Sequence, residues 1–146
     1  MKKRQPIAVL ALCAAAVLLF WPSPYLASPH WEVWVTRPDG TPIEGINVAL
    51  YFHNFSTEEE GHTAILTTDS HGYVVFPPHY QKASIAQYVF HTVSAARAGV
   101  HASFGRHASV FAYGNGYEGW PVTGEYVTDW RGSPSSMQSK IAAKLR

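Results

Sequence analysis

Short apolar alternations cut off by turn-forming residues restrict this chain more than any other feature. HWEVWVT (30–36) places Trp31, Val33 and Val35 on one face of an extended segment and Glu32, Trp34 and Thr36 on the other. PDG at 38–40 then supplies a proline with fixed φ and a glycine free to take positive φ, and Gly45 marks a second bend. Ile46–Phe52 reads as the next strand, with Ile46, Val48 and Leu50 pointing one way. NFSTEEEGH is a polar loop, His62–Thr68 a third strand, DSHG a hairpin turn, and Tyr73–Phe76 a fourth strand closed by Pro77 and Pro78. Strands this short, reversing over so few residues, pair as antiparallel neighbours. The expected class is mainly β and antiparallel.

The period changes once. In KASIAQYVFHTVSAARAG the apolar Ile85, Tyr88, Val89, Val93 and Ala96 recur at helical spacing, opposite Ser84, Gln87, His91 and Ser94. Ser84 with Gln87 forms a capping box, Arg97 sits in the last turn, and Gly99 follows as the stop. A helix is therefore inserted at 84–98. Its apolar face is expected to cover part of the β domain, so Val89→Asp should destabilise that domain by a few kcal/mol through an unpaired buried charge. Strand patterning resumes over Ala108–Tyr113, breaks at the glycine-rich GNGYEG, and returns over Gly124–Trp130. SPSSMQSKIAAKLR spaces Met137, Ile141 and Leu145 four apart behind Ser133 and Pro134, which reads as a short basic amphipathic helix or tail over 133–146.

Two of these stretches carry a family resemblance. Gly40, Pro42, Ile43, Gly45 and Val48 in GTPIEGINV, followed by Thr68, Asp69, Gly72, Tyr73 and Phe76 in TDSHGYVVF, resemble the signature turns of carboxypeptidase regulatory-like domains. VFAYGNGYEGW (110–120) is similar to that family's closing strand, Gly-Tyr and strand. The likeness runs over roughly Trp31–Trp130. It implies a transthyretin-like, Ig-like β-sandwich and a non-catalytic companion role. Ile46, where the family commonly has Ala, and the helix at 84–98 are departures from its pattern.

The first 20 residues set Lys2, Lys3 and Arg4 before an apolar run from Ile7 to Phe20, the layout of an export signal. Cleavage wants small side chains next to the cut and three residues before it. A cut after Ala27 meets Tyr25, and a cut after Ser28 meets Leu26 and a following Pro29. Residues 7–26 are accordingly expected either to anchor the chain in the inner membrane or to be removed, leaving a periplasmic or secreted body. The domain plan is a signal or anchor plus the linker WPSPYLASP over 1–29, a sandwich over 30–132, and the tail over 133–146. LALC at 10–13 resembles a lipobox only faintly, because Leu12 stands where that motif has a small residue.

With 146 residues and 47% apolar content the chain can bury one domain core. A net charge of +1 supplies no field for nucleic acid. Cys13 is the single cysteine, so the body has no disulfide and no thiol nucleophile.

No cofactor is expected, and no enzyme. Asp69 and His71 are neighbours in a turn without the buried setting that tunes an acid–base pair, and Ser103 has no acid near it in sequence. Glu58, Glu59 and Glu60 form a solvated run. Asn54-Phe55-Ser56 matches a glycan acceptor in form only. Among eight histidines none are spaced as ligands on one helix or strand, and the best metal candidates are His101 and His107 in HASFGRHAS, should a hairpin join them. His30 is a poor amino-terminal copper site, since Pro29 has no amide proton to lose. The aromatic residues carry more. Trp34 on one strand, and Tyr113, Tyr117 and Trp120 around the glycine-rich segment, are expected to form an exposed patch for a protein or a cell-wall glycan. The functional expectation is a cell-envelope accessory or binding module, with metal binding through histidine as the alternative.

Overall fold

The computed structural model describes residues 4–121 and 129–146. Among them the chain forms helix α1 (Arg4–Phe20), strands β1 (Ser23–Ser28), β2 (His30–Thr36), β3 (Asn47–Asn54), β4 (His62–Thr67), β5 (Tyr73–Phe76) and β6 (His79–Ala83), and helix α2 (Ile85–Ala96). After a single 3-10 turn at Gly99–His101 come β7 (Arg106–Gly114), β8 (Tyr117–Gly119), β9 (Asp129–Trp130), β10 (Ser136–Ala142) and β11 (Lys144–Leu145). The protein is mainly β.

Three sheets result. β10, β2 and β5 form one, in that order; β11, β8, β7, β3 and β4 form the largest, with β9 also on β7; β1 and β6 form a two-stranded ribbon. Trp31, Val33 and Val35 of β2 are fully buried, as their alternation requires, and so are Val48 and Leu50 of β3 and Val110 of β7. These residues, with Phe76, Trp130, Met137 and Ile141, make one core cluster shared by the two larger sheets. Burying a single Leu, Ile or Phe of this kind contributes about 1.5–3 kcal/mol.

The two turn stretches are welded to each other. Thr68 Oγ donates to the Ile43 carbonyl (2.7 Å) and accepts the Ile46 N–H (3.1 Å). The backbone of Thr68 accepts from Gly45 and donates to Ile46, each at 3.0 Å. Gly72 sits at φ +69°, and a Cβ there would run into the Val35 carbonyl oxygen. Only glycine suits that position.

Several expectations need correction. WPSPYLASP is not a free linker, because Ser23–Ser28 forms β1, paired with β6, and Ala27 and Ser28 are buried. HYQKA after Pro77-Pro78 is a strand that alternation alone did not reveal. Residues 7–26 are not one apolar span: α1 ends at Phe20 after 17 residues, and among the described residues no helix is long and apolar enough to cross a membrane.

The segment 133–146 is not a helix. β10 alternates buried Met137, Ser139 and Ile141 with exposed Gln138 and Lys140, and it pairs with β2 in parallel. A spacing of four fits both the helical and the strand period, so Met137 and Ile141 misled; Leu145 is exposed. The parallel pair also departs from a purely antiparallel arrangement.

Helix α2 does form, with Ser84 Oγ accepting the Gln87 N–H and the Gln87 side chain accepting from Ser84 N–H. None of its residues is buried, however, and its helical neighbour is α1 rather than a sheet. Val89 is 56% exposed, so the destabilisation expected of Val89→Asp is withdrawn. Most of the strand expected at 124–130 lies outside the described residues; Asp129 and Trp130 do pair with Ala108 and Ser109 of β7.

Candidate functional site

β7 presents alternate residues to opposite sides. Ala108, Val110 and Ala112 enter the core, so Phe111 and Tyr113 face away from it. The Phe111 and Tyr113 rings stack with centroids 5.6 Å apart and planes 29° apart. Trp120, just past β8, also stacks on Phe111, at 5.0 Å and 29°. Three rings thus form a continuous aromatic platform, and Trp120 keeps 65% of its surface exposed. Ile65 of β4 continues the apolar strip, since Ala49 of β3 lies between it and Phe111 in register and Ile65 is 53% exposed. Asn47 and Glu118 flank Tyr113 on either side and supply polar groups at the edge.

The chain holds Trp120 from both sides. Gly119 is buried, and a Cβ there would approach Ile141 Cγ2 to 2.7 Å and Ala143 Cα to 2.8 Å. Pro121, also buried, bridges to Ile141. The C-terminal strand therefore sets where the Trp120 ring stands, a dependence invisible in the local sequence around it.

The expected patch of Trp34, Tyr113, Tyr117 and Trp120 is only partly assembled. Tyr113 and Trp120 share Phe111, a residue the sequence reading passed over although it lies two positions before Tyr113. Tyr117 is opposite Gly114 and packs against the core cluster instead. Its hydroxyl accepts from Arg37 Nε at 3.1 Å, with the guanidinium 5.9 Å from its ring centroid. Trp34 stands on the other sheet, turned from the core, its ring centroid 5.0 Å from that of Tyr73. Partial burial, then the carboxylates of Glu32 and Asp69, push the Tyr73 phenol above its ordinary value.

The histidines do not gather as expected either. His101 ends the 3-10 turn, while His107 lies in β7 opposite His53, with Nε2 3.5 Å from Asp129. No hairpin joins the two, and among the described residues no three His, Cys, Asp or Glu side chains form a group that could hold a metal ion. Two others, His62 and His79, each stack on Phe52 of β3, and His62 Nε2 meets Glu58 Oε2 at 2.8 Å.

A cleft of about 530 Å³ opens beside β7, lined by Phe55, Ser103, Phe104, Arg106, His107 and Arg131. Two of its polar side chains are committed. Arg106 donates to the Leu26 carbonyl at 3.1 Å and lies over Trp130, and His107 faces Asp129. Asp69 is likewise occupied, accepting the N–H groups of His71 and Tyr73, each at 2.9 Å. Those bonds, the one from Tyr73 first, hold its carboxyl below the ordinary value. It closes a turn.

No protein-family model, no curated protein and no solved structure matches this chain.

Proposed function

We propose that this protein is an exported, non-enzymatic accessory domain of the cell envelope, a transthyretin-like sandwich of the carboxypeptidase regulatory-like type, and that it binds cell-wall glycan on its aromatic platform. The observation that carries the reading is the stack of Tyr113, Phe111 and Trp120 on the face turned away from the core. A row of aromatic rings suits the apolar faces of sugar rings, which dock by stacking, while Asn47 and Glu118 at the edge suit hydroxyl groups. Contiguous aromatic side chains at a surface mark interaction sites more than single exposed ones do. The sandwich reading is supported by one core shared between the two larger sheets.

Export is supported by the cationic start and apolar run of α1. Retention of that segment is supported by β1: a cut after Ala27 would strip Ser23–Ala27 from its pairing with β6.

The test is co-sedimentation with purified insoluble peptidoglycan. Phe111→Ala and Trp120→Ala should each weaken binding at least about tenfold, as loss of an aromatic anchor does. Trp34→Ala, on the other sheet, should leave it unchanged. Equal binding by correctly folded Trp120→Ala protein would defeat the proposal, and a loss confined to Trp34→Ala would move the site to the other sheet.

A further inference from the structure

Exposed apolar surface is distributed very unevenly. On α1 and just after it, Ile7, Leu10, Leu12, Leu18, Phe20 and Trp21 are each at least 65% exposed. On α2 and the segment after it, Ile85, Val89, Phe90, Val93, Val100 and Phe104 are each more than half exposed. The two helices touch, and the groove at their junction, about 480 Å³, is lined by Leu19 of α1 and Ala86, Val89, Phe90 and Val93 of α2. Apolar side chains of both helices meet at that groove, which Ser94 and Arg97 also line.

Charge follows the same division. Residues 1–31 and 70–117, which contain both helices, have no Asp or Glu at all. Their charged side chains are Lys2, Lys3, Arg4, Lys82, Arg97 and Arg106, every one cationic. All the acidic residues of the chain lie elsewhere, in the β2–β5 segment and after Tyr117. Lys82 and Arg97 bracket α2, which has no Asp, Glu, Lys or Arg of its own.

We infer that the α1–α2 face docks in the plane of a lipid bilayer that carries anionic headgroups. A helix that is too short to span, has an uncharged apolar face and is flanked by cations gains on such a surface from both acyl-chain burial and headgroup attraction. An apolar protein partner would satisfy the first property but not the second. The mode differs from a spanning anchor, and it makes α2 a second point of membrane contact beside the N-terminal segment. It does not depend on glycan binding, whose platform lies on another element.

The experiment uses the full chain with Cys13→Ser and one new cysteine, Val93→Cys on the apolar face or Ser70→Cys in the β4–β5 turn, labelled with an environment-sensitive fluorophore. Vesicles are phosphatidylcholine with or without phosphatidylglycerol, with bromine on the acyl chains as a depth-dependent quencher. On anionic vesicles the label at 93 should shift to the blue and be quenched, while the label at 70 should do neither. Lys82→Gln with Arg97→Gln should lower partitioning onto anionic vesicles about thirtyfold, near one kcal/mol being carried by each cation. Val89→Asp should reduce quenching at 93 in protein that remains folded by circular dichroism. A label at 93 that stays in water while the chain sits on vesicles through α1 alone would overturn the inference. So would protection at 93 that grows with protein concentration without lipid, since a second copy would then be the occupant.

Discussion

Thr68 does the work of a small network at a single position. Its hydroxyl and its backbone together bind Ile43, Gly45 and Ile46, so the bend after the PDG turn and the start of the DSHG turn are fastened across 22 or more residues of chain. The side chain is 5% exposed, so water does not replace a lost bond readily. Thr68→Val keeps the shape and removes both hydroxyl bonds, leaving the Ile46 N–H and the Ile43 carbonyl without that partner. It should cost about 1–3 kcal/mol, measured as a shift in urea midpoint at constant slope. An unchanged midpoint would show the bend to be held by its backbone bonds alone. The turns themselves were legible, because Asp39, Gly40, Gly45, Asp69 and Gly72 are the residue types such backbones demand. That they form one unit was not, since sequence distance hides the Thr68 bridge.

Among the elements, β10 departs most from its sequence pattern and matters most to the site. Trp31 Nε1 donates to Ser139 Oγ at 2.9 Å in the buried core, joining β2 to β10. Ile141 is fully buried and touches the ground on which Gly119 and Pro121 rest. Ile141→Ala should therefore destabilise the protein by about 2–5 kcal/mol, while Leu145→Ala, at a position 72% exposed, should change stability by less than about 0.5 kcal/mol. Equal, small effects at both positions in thermal melts would restore the reading of a loose tail. Apolar residues four apart satisfy a helix and a strand alike, and Ser139, the buried polar residue between them, marks the strand only once its hydrogen bond from Trp31 is seen. The α2 capping box, by contrast, was legible because Ser84 and Gln87 satisfy each other locally and need nothing from the fold.

At the scale of the molecule, a β body with its own core carries a helical pair that contributes little to that core. Every described side chain of α1 from Ile7 onward is exposed, and no residue of α2 is buried. Protein lacking residues 1–20 should keep the unfolding free energy of the full chain to within about 0.5 kcal/mol in urea titrations read by fluorescence of the core tryptophans. A drop well beyond that would make α1 part of the folding unit. The sequence by itself determined the local features: alternation at β2 and β5, the turns, the cap of α2 and the segregation of acidic from cationic stretches. Each of these depends on contacts within a few residues or on composition, which a linear reading contains. Only the tertiary structure decided that residues 23–28 pair with 79–83, that the C-terminal segment runs parallel to β2, and that Phe111 rather than Tyr117 completes the aromatic platform. Those outcomes rest on which faces compete for one core. A strand's side chains point by alternation, but which side is inside is settled only when the partner sheet arrives.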